Sequence, residues 1–334
     1  MITLRSGGWV RLLCVGFLLL VPLATVTGKT LTVSPGDKGG IASALAGAQA
    51  GDVVLVGCGT YLEGALYVPD GVTLAGVDDP DCVVIETLGF APLIIIENAG
   101  DQTRVMRLTL TTVEGGLQMP VARGAGVYLQ NASPIFVNVK FLDLAADYGG
   151  AVYCSEGSNP RFEYCRFQGN DARAAGGAVA VTGASDPVFD GCLFAENTAG
   201  TSGGHINAAL DSRAMLNFCT LAGGEADAGS GLASWGQGVF AMANTILADG
   251  RGSRGWDGDG GWVPTVICTD IYGNEGGDWE GGLAPQLPMD GNFSADPQFC
   301  GAHDPLNPYT LNDASPCAQE NSPGCGQVGA FGVG

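Results

Sequence analysis

A repeat of 27 residues restricts the possible folds of this chain more than any other feature. Cys165, Cys192 and Cys219 follow one another at intervals of 27 positions. Around the first two, the pattern Ser-x-Pro-x-Phe precedes the cysteine, and a Phe, an Asn and a Gly-Gly pair follow it. A unit this short cannot bury its apolar faces alone, so each unit must stack on a copy of itself.

The repeat predicts short β-strands rather than helices. Each unit contains apolar stretches of three to six residues between Gly, Asn, Asp or Pro, and none has a helical period. Stacked units place equivalent residues above one another at the spacing of hydrogen-bonded strands, about 4.8 Å. The sequence therefore predicts an all-β fold, a single-stranded parallel β-helix, in which like residues form ladders. The predicted ladders are Phe162/Phe189, Phe167/Phe194 and, at a corner with left-handed backbone, Asn170/Asn197.

Other segments fit the same architecture. Residues 41–48 form an Ala-rich amphipathic pattern, which predicts a short helix that covers the strand edges at the N-terminal end. We expect roughly ten coils in all. The predicted organisation is a signal peptide at 1–28, a cap helix and entry strand at 29–52, a β-helix at 53–290 and a closing segment at 291–334. Within the β-helix the repeat is clearest at 131–238, and a Gly/Trp-rich loop region occupies 250–282.

The first 28 residues have the order of a secretory signal peptide. Arg5 and Arg11 precede an apolar run at 12–21, and small residues follow at 24–28. This run is shorter than the stretch of about 18 residues that indicates a membrane-spanning helix, and no second run of that length follows it. We therefore expect a secreted protein (extracellular, cell-surface or periplasmic) whose mature chain has no transmembrane segment.

The charge balance argues against the usual partners of basic proteins. Aspartate and glutamate number 34 against 14 lysines and arginines, which gives a net charge of −20. A nucleic-acid-binding protein needs a basic face to displace counterions, so we expect no nucleic-acid partner. The sequence leaves the oligomeric state open.

Because exported proteins fold in an oxidising environment, the cysteines of this chain can form disulfides. Side chains at equivalent positions of parallel strands point alongside one another, which disfavours a disulfide between them. The cysteines expected as buried free thiols on this ground are Cys165, Cys192 and Cys219. Cys317 and Cys325 flank a loop of turn residues and are predicted to form a disulfide, and Cys58 with Cys82 is a second candidate pair. Neither histidine has a cysteine pair at zinc spacing, so no metal site is predicted.

The chain resembles a known group of repeat proteins. The segment from Ile41 to Tyr61 resembles the entry of bacterial pectate-lyase-like right-handed β-helix proteins. The Gly-Gly-Ala-Val and Phe-x-x-Asn pairs are similar to repeats of polymorphic outer-membrane-protein passengers, and the tail from Ala295 to Gly332 is similar to their closing segment. The resemblance covers about residues 30–334 and implies right-handed coiling. This superfamily contains lyases, hydrolases, adhesins and catalytically silent scaffolds, so the resemblance implies no single activity.

Glu163 and Asp190 are the candidate catalytic residues. They occupy equivalent positions one repeat apart, so stacking places them on neighbouring coils, and glycoside hydrolysis needs two carboxyl groups at a set separation. The same description fits any two acids on the outside of a solenoid. The resemblance also implies lyase chemistry, in which aspartates hold Ca²⁺ and an arginine or lysine removes a proton. The nearby bases are Arg161, Arg166 and Arg173, but no family motif assigns them this role.

The Gly/Trp-rich region supplies the candidate ligand-binding residues. If a loop leaves the solenoid here, Trp256 and Trp262 present flat indoles to sugar rings. Asp257 and Asp259 are then candidate hydrogen-bonding groups or Ca²⁺ ligands. The alternative is that the tryptophans pin an irregular loop to the solenoid wall.

These observations predict an exported β-helix repeat protein. The leading expectation is a non-catalytic adhesion or glycan-binding scaffold, because the scaffold pattern is specific and no catalytic set can be assigned. The alternative is a carbohydrate-active enzyme, either a polysaccharide lyase or a glycoside hydrolase. The expected partner is a polysaccharide or cell-surface glycan, and Ca²⁺ is the one candidate cofactor.

Overall fold

The described chain is a right-handed parallel β-solenoid of about nine turns. The structure is a computed structural model, and it describes residues 28–37, 40–87, 89–113, 121–259, 262–287, 289–303, 307–322 and 324–334. The predicted fold class is therefore confirmed, with slightly fewer coils than expected. The predicted signal peptide lies outside the described residues except for Gly28.

The strands are short because each coil turns every few residues. In chain order the first half are β1 Thr30–Val33, β2 Val53–Val56, β3 Gly59–Leu62, β4 Leu66–Tyr67, β5 Thr73–Gly76, β6 Val83–Thr87, β7 Ile94–Glu97, β8 Arg104–Met106, β9 Thr109–Thr112, β10 Val121–Arg123, β11 Val127–Gln130, β12 Ile135–Val137, β13 Lys140–Leu142, β14 Ala145–Tyr148, β15 Val152–Ser155 and β16 Arg161–Glu163. The others are β17 Arg166–Gln168, β18 Asp171–Ala175, β19 Val179–Val181, β20 Val188–Asp190, β21 Leu193–Ala195, β22 Thr198–Ala199, β23 Ile206–Ala209, β24 Arg213–Asn217, β25 Thr220–Ala222, β26 Leu232–Trp235, β27 Val239–Ala243, β28 Ile246–Ala248, β29 Trp256–Gly258, β30 Thr265–Ile267 and β31 Asp270–Tyr272.

Each strand pairs in parallel with its counterpart on the next coil, which produces four sheets. Sheet A has the order β1-β2-β5-β8-β12-β16-β20-β24-β27-β30, and sheet B has the order β3-β6-β9-β13-β17-β21-β25-β28-β31. Sheet C has the order β29-β26-β23-β19-β15-β11-β7-β4, and the short sheet D has the order β10-β14-β18-β22. The chain passes repeatedly through A, B, D where present, and C.

Phenylalanine ladders fill the interior of the middle coils, as predicted. In sheet A the rings of Phe162 and Phe189 stack with centroids 5.0 Å apart, and in sheet B those of Phe167 and Phe194 stack at 4.5 Å. All four side chains are fully buried. Rings from the two sheets meet edge to face, for example Phe162 with Phe167. Aromatic pairs of this kind contribute about 0.5–1.5 kcal/mol each beyond the area that they bury.

The asparagine ladder forms, but its predicted backbone conformation is wrong. Asn170 donates its backbone N–H to Asn197 Oδ1 over 3.0 Å, so each amide side chain bonds the neighbouring coil. The left-handed residues are those one position earlier, Gly169 (φ 66°) and Glu196 (φ 54°). The asparagine side chain therefore stabilises the corner by hydrogen bonding, while the preceding residue makes the turn.

The N-terminal end is covered by the one α-helix of the described residues, Gly40–Gly47 (α1), which agrees with the helix predicted near 41–48. Its Ile41 and Leu45 are buried against the first coil, where α1 contacts β1, β2 and β4. The short 3₁₀ segments are Pro80–Cys82, Gly281–Gln286, Met289–Gly291 and Gly301–His303. Among the described residues, no helix is long and apolar enough to cross a membrane.

Of the two alternatives considered for the Gly/Trp-rich region, the loop that leaves the solenoid is not formed. Strands β29, β30 and β31 continue sheets C, A and B through it. Trp256 is only 4% exposed because its side chain packs in the core, and its Nε1 donates to Ser234 Oγ over 3.2 Å. The indole takes the interior position that Leu232 and Ile206 hold on the two preceding coils, so the fold continues although the residue type changes.

Two disulfides are present, and the pairing predicted for Cys325 is wrong. Cys58 bonds Cys82 on the neighbouring coil, as in the second candidate pair. Cys325 bonds Cys268 instead of Cys317, across 57 residues of sequence. Cys317 is buried and free, and its thiol donates to Asp270 Oδ2 over 3.2 Å. The spacing of Cys317 and Cys325 was misleading because the closing segment folds back along the solenoid instead of ending in a local loop.

The closing segment, residues 291–334, runs back along the corner between sheets A and B. Asn244 Nδ2 donates to the carbonyl oxygens of Cys325 and Gln327, at 2.8 and 3.1 Å. Further along, Ala330 N donates to Thr220 Oγ1 at 2.9 Å. The segment therefore passes from the last coils towards the middle coils, where it flanks the sequence-predicted acids.

Candidate functional site

The structure places Glu163 and Asp190 side by side on the outer face of sheet A, as their repeat positions predict. They are register partners on β16 and β20. Arg161 lies between them: its Nε contacts Glu163 Oε1 at 2.7 Å, and its Nη2 pairs with Asp190 Oδ2. Asn217, one coil further on, donates its Nδ2 to Asp190 Oδ1 over 2.8 Å. Both oxygens of Asp190 are thus engaged by protein groups.

These side chains form one wall of an open groove of about 500 Å³, which we call the tail groove. Its lining residues are Arg161, Glu163, Tyr164, Asp190, Gly191, Phe218, Gln327 and Ala330. Gln327 and Ala330 come from the closing segment, so the tail groove exists because that segment folds back. Tyr164 and Phe218 lie at the corner between sheets A and B on their coils, and each makes the turn there with a left-handed backbone φ. Both side chains are exposed.

The other arginines considered for proton abstraction are engaged elsewhere. Arg173 pairs with Asp147 at 3.2 Å on the opposite side of the coil. Arg166 contacts Asn307 and lies 5.3 Å from the centre of the Phe331 ring. No group of three or more His, Cys, Asp or Glu residues within the described ranges is arranged to hold a metal ion. The described residues therefore do not assemble the acid cluster and nearby base that the lyase resemblance implies.

The tryptophan region does not bring its four candidate residues together as a ligand surface. Trp256 is in the core, whereas Trp262 is 53% exposed. Asp257 lies 3.8 Å from the guanidinium of Arg254, and Asp259 accepts a hydrogen bond from Gly236 N at 2.7 Å. The two aspartates therefore act on the local backbone and on a neighbouring arginine, which agrees with the structural alternative for this region.

A second groove, not predicted from the sequence, lies where sheet D meets sheet C. It has a volume of about 560 Å³, and we call it the aromatic groove. Its lining residues are Phe90, Ala91, Pro92, Val121, Ala122, Arg123, Tyr128, Asp147 and Tyr148. Phe90 is 64% exposed and Tyr148 is 47% exposed, which is unusual for aromatic side chains in a single small patch.

Tyr128, which lines the aromatic groove, stacks on a second tyrosine of the next coil. Tyr128 on β11 and Tyr153 on β15 are register partners, and their rings are parallel within 2° with centroids 5.9 Å apart. The guanidinium of Arg123 lies 5.1 Å from the centre of the Tyr153 ring. Burial raises the pKa of Tyr153, so its hydroxyl stays protonated near neutral pH and can donate a hydrogen bond. The side chain of Tyr128 bonds Gln130 Oε1 at 3.3 Å.

The sequence did contain a signal for these tyrosines. Tyr128 and Tyr153 each follow directly on a Gly-rich turn and an interior valine, at the same place in two successive coils. Since side chains alternate along a strand, the residue after a buried valine points outwards. In the next three coils this place is taken by Ala180, Asn207 and Ala233, so the aromatic pair is confined to one part of sheet C.

Two buried groups with large pKa shifts, His205 and Asp270, lie away from both grooves. His205 is fully buried, and burial lowers its pKa to about 3; its Nδ1 lies 3.0 Å from Asn197 Nδ2. Among the described residues, nothing hydrogen-bonds His205 Nε2. Burial also raises the pKa of Asp270 to about 7, against the opposing effect of the hydrogen bond from Ala295 N. Neither side chain is accessible to a ligand, so both act on stability.

Comparison with known proteins gives no family assignment. No protein-family model matches the chain, and no curated protein matches it. Functional conclusions therefore depend on the two grooves themselves.

Proposed function

We propose that this protein is an exported β-helix scaffold that binds a glycan in the aromatic groove, without cleaving it. The observation that carries the proposal is the pair of stacked, outward-facing tyrosines, Tyr128 and Tyr153, with Phe90 and Tyr148 exposed beside them. Aromatic rings on a rigid sheet offer a large apolar surface at a low cost in conformational entropy. A pyranose ring has apolar C–H faces that match such a surface.

The polar groups of the groove supply the hydrogen bonds that a sugar also needs. Tyr128, Tyr148, Arg123 and Asp147 line the groove and carry such polar groups. A few polar groups around an apolar concavity are typical of small-ligand sites, in which the polar groups fix orientation. The adjacent parallel strands hold the two tyrosines in register, so no rearrangement is needed before a ligand binds.

Affinity electrophoresis in gels that contain single polysaccharides, acidic and neutral, tests this proposal. The wild-type protein should be retarded by at least one polysaccharide, and the double variant Tyr128→Ala/Tyr153→Ala should lose about tenfold or more in affinity. Tyr272→Ala is the matched control, because Tyr272 is a partly exposed tyrosine on sheet B. Equal retardation of the double variant and the wild type would refute binding at this groove.

Glycoside hydrolysis is a second candidate function because Glu163 and Asp190 are register partners at the edge of the tail groove. The shared ion pair with Arg161 favours a structural or binding role for these acids instead. Counting new reducing ends after incubation with the same polysaccharides separates the two functions. Release of reducing ends that Glu163→Gln abolishes, without formation of an unsaturated sugar, would establish hydrolysis, and no release supports binding alone.

A further inference from the structure

We infer that the tail groove binds the primary ammonium group of an amino sugar. This site lies on a different face of the solenoid from the aromatic groove and does not depend on glycan binding there. The inference uses three features of the tail groove: its uncompensated negative charge, its two exposed aromatic walls and its size.

The charge of the groove favours a cation. Glu163 and Asp190 contribute two negative charges, and Arg161, which pairs with both, contributes one positive charge. Asn217 Nδ2 donates a hydrogen bond to Asp190 Oδ1, while no described residue donates a hydrogen bond to Glu163 Oε2. One negative charge and one carboxylate oxygen therefore remain for a ligand. An ammonium group carries both the charge and the N–H donors that this oxygen needs.

The walls of the groove also suit a cation. Tyr164 is 68% exposed and Phe218 is 48% exposed, although both are apolar rings. Tyr164 and Phe218 lie two coils apart, and Gly191 lies between them. Twice the strand spacing gives a separation of about 9.6 Å. A Cβ at Gly191 would lie 2.9 Å from a ring carbon of Tyr164, so glycine at this position allows the Tyr164 ring to lie close to the backbone. Ring faces attract cations at short range by about 0.5–2 kcal/mol.

The backbone at these two aromatic residues is held in an uncommon conformation. Tyr164 has φ 55° and Phe218 has φ 51°, the left-handed region that bulky residues rarely adopt. Other coils place Gly191 or Asn244 at the same corner, where this conformation costs less, but also Arg107 and Cys268, where it does not. The left-handed corner is therefore a general feature of the coils, and at Tyr164 and Phe218 it carries exposed aromatic side chains beside the acids.

The size and polarity of the groove point to a sugar that carries the ammonium group. The volume of about 500 Å³ exceeds what an ammonium ion alone requires. The amide of Gln327 and the hydroxyl of Tyr164 line the same groove and match sugar hydroxyl groups. A quaternary ammonium ligand has no N–H to offer Glu163. An anionic sugar would meet both the local negative charge and the net charge of −20.

Isothermal titration of the intact protein with glucosamine, N-acetylglucosamine, glucose and lysine methyl ester tests the inference. Glucosamine should bind at least about tenfold more tightly than N-acetylglucosamine, which has the same ring without the charge, and more tightly than lysine methyl ester. Glu163→Gln should weaken glucosamine binding by about tenfold, and Phe218→Leu, which keeps an apolar side chain without a ring face, by about threefold. Glu97→Gln, an exposed acid on sheet C, is the control.

Several results would overturn the inference. N-acetylglucosamine binding as tightly as glucosamine would show that the charge plays no part. Lysine methyl ester binding as tightly as glucosamine would make this an ammonium site without preference for a sugar. Absence of glucosamine binding, or unchanged binding in both Glu163→Gln and Phe218→Leu, would rule out the site. Circular dichroism of each variant verifies that the fold is retained.

Discussion

The coils of the clear repeat and the coils after residue 250 form the same solenoid with different side-chain interactions. In the repeat, like stacks on like: Phe167 and Phe194 in the core, and Asn170 and Asn197 at a corner. The phenylalanine ladders end at Leu216 and Leu221, and the strands after residue 250 do not resume them, yet these strands stay in register with those before them. The comparison shows that backbone pairing continues without sequence repetition, provided that other interactions replace the ladders.

The replacements in the later coils are mostly specific contacts with the closing segment. The Cys268–Cys325 disulfide and the Cys317–Asp270 hydrogen bond each join a coil after residue 250 to the closing segment. The Asn244 side chain joins the coil just before them to the backbone of the same segment. Such contacts connect distant parts of the sequence, whereas each ladder contact connects neighbouring repeats. We therefore expect the two regions to respond differently to substitution and to pH.

The largest effect should come from opening the phenylalanine ladder. Phe167→Ala removes a fully buried ring that stacks on both Phe141 and Phe194, and it should lower the free energy of unfolding by about 3–5 kcal/mol. Phe331→Ala in the closing segment is the control, because that ring packs only partly, against Arg166, and its loss should cost about 1 kcal/mol or less. Urea unfolding followed by circular dichroism measures both. Equal losses would contradict the distinction between the regions.

Removing the disulfide of the closing segment should have a smaller and more local effect. The double variant Cys268→Ser/Cys325→Ser should destabilise the protein by about 2–4 kcal/mol. Amide hydrogen exchange should become faster at residues 325–330 and stay slow in the ladder coils, because the bonds to Asn244 and Thr220 are the main remaining anchors there. Faster exchange throughout the ladder coils would show that the two regions unfold as one unit.

His205 should make the ladder coils sensitive to acid. Its pKa is about 3 in the folded protein, below its ordinary value of 6.5, so the unfolded chain binds a proton that the folded chain does not. The contribution of His205 to stability should therefore fall as the pH decreases from 6.5 towards 3, by up to about 1.4 kcal/mol per pH unit. In His205→Ala, which restores the alanine of the preceding coil at Ala178, this fall should disappear. An unchanged acid profile of urea midpoints would contradict this role.

Asp270, in the later coils, should give the stability of the protein the opposite pH dependence. Its folded pKa of about 7 lies above the ordinary 3.8, so its contribution is complete below pH 3.8 and is lost as the pH rises to 7. The two groups offset each other in the wild-type protein between about pH 4 and 6.5, so single variants reveal each effect. Stability should fall with rising pH in His205→Ala and with falling pH in Asp270→Asn. Equal slopes in the two variants would refute the assignment.

The same contrast explains what could be predicted from the sequence. Repetition exposes interior positions, so the fold, the phenylalanine ladders and the buried thiols of Cys165, Cys192 and Cys219 were predictable from spacing alone. The pairing of Cys325 with Cys268 was not, because it depends on the path of a non-repeating segment. Trp256 was misread for a related reason: an indole in a Gly-rich stretch gives no sign of whether it faces the core or the solvent.

The residues of the two grooves also divide into those that the repeat predicts and those that it does not. The adjacency of Glu163 and Asp190 followed from the repeat, whereas the contribution of Gln327 to the tail groove required the closing segment to fold back. The aromatic groove combines residues of three successive coils, from Phe90 to Tyr148. Its tyrosines occupy repeat positions, but Phe90 and Arg123 lie where the spacing between coils is irregular, so no periodic pattern joins them.

The most direct test of the account is whether a bound polysaccharide stays intact. The purified protein is incubated with each polysaccharide that retards it in affinity electrophoresis, with Ca²⁺ present, and new reducing ends are counted against a boiled control. Because hydrolysis and elimination both create reducing ends, a single readout covers both enzyme classes. The account predicts binding that depends on Tyr128 and Tyr153 and no release of reducing ends. Release above the boiled control, abolished by Glu163→Gln, would contradict it and identify the protein as an enzyme.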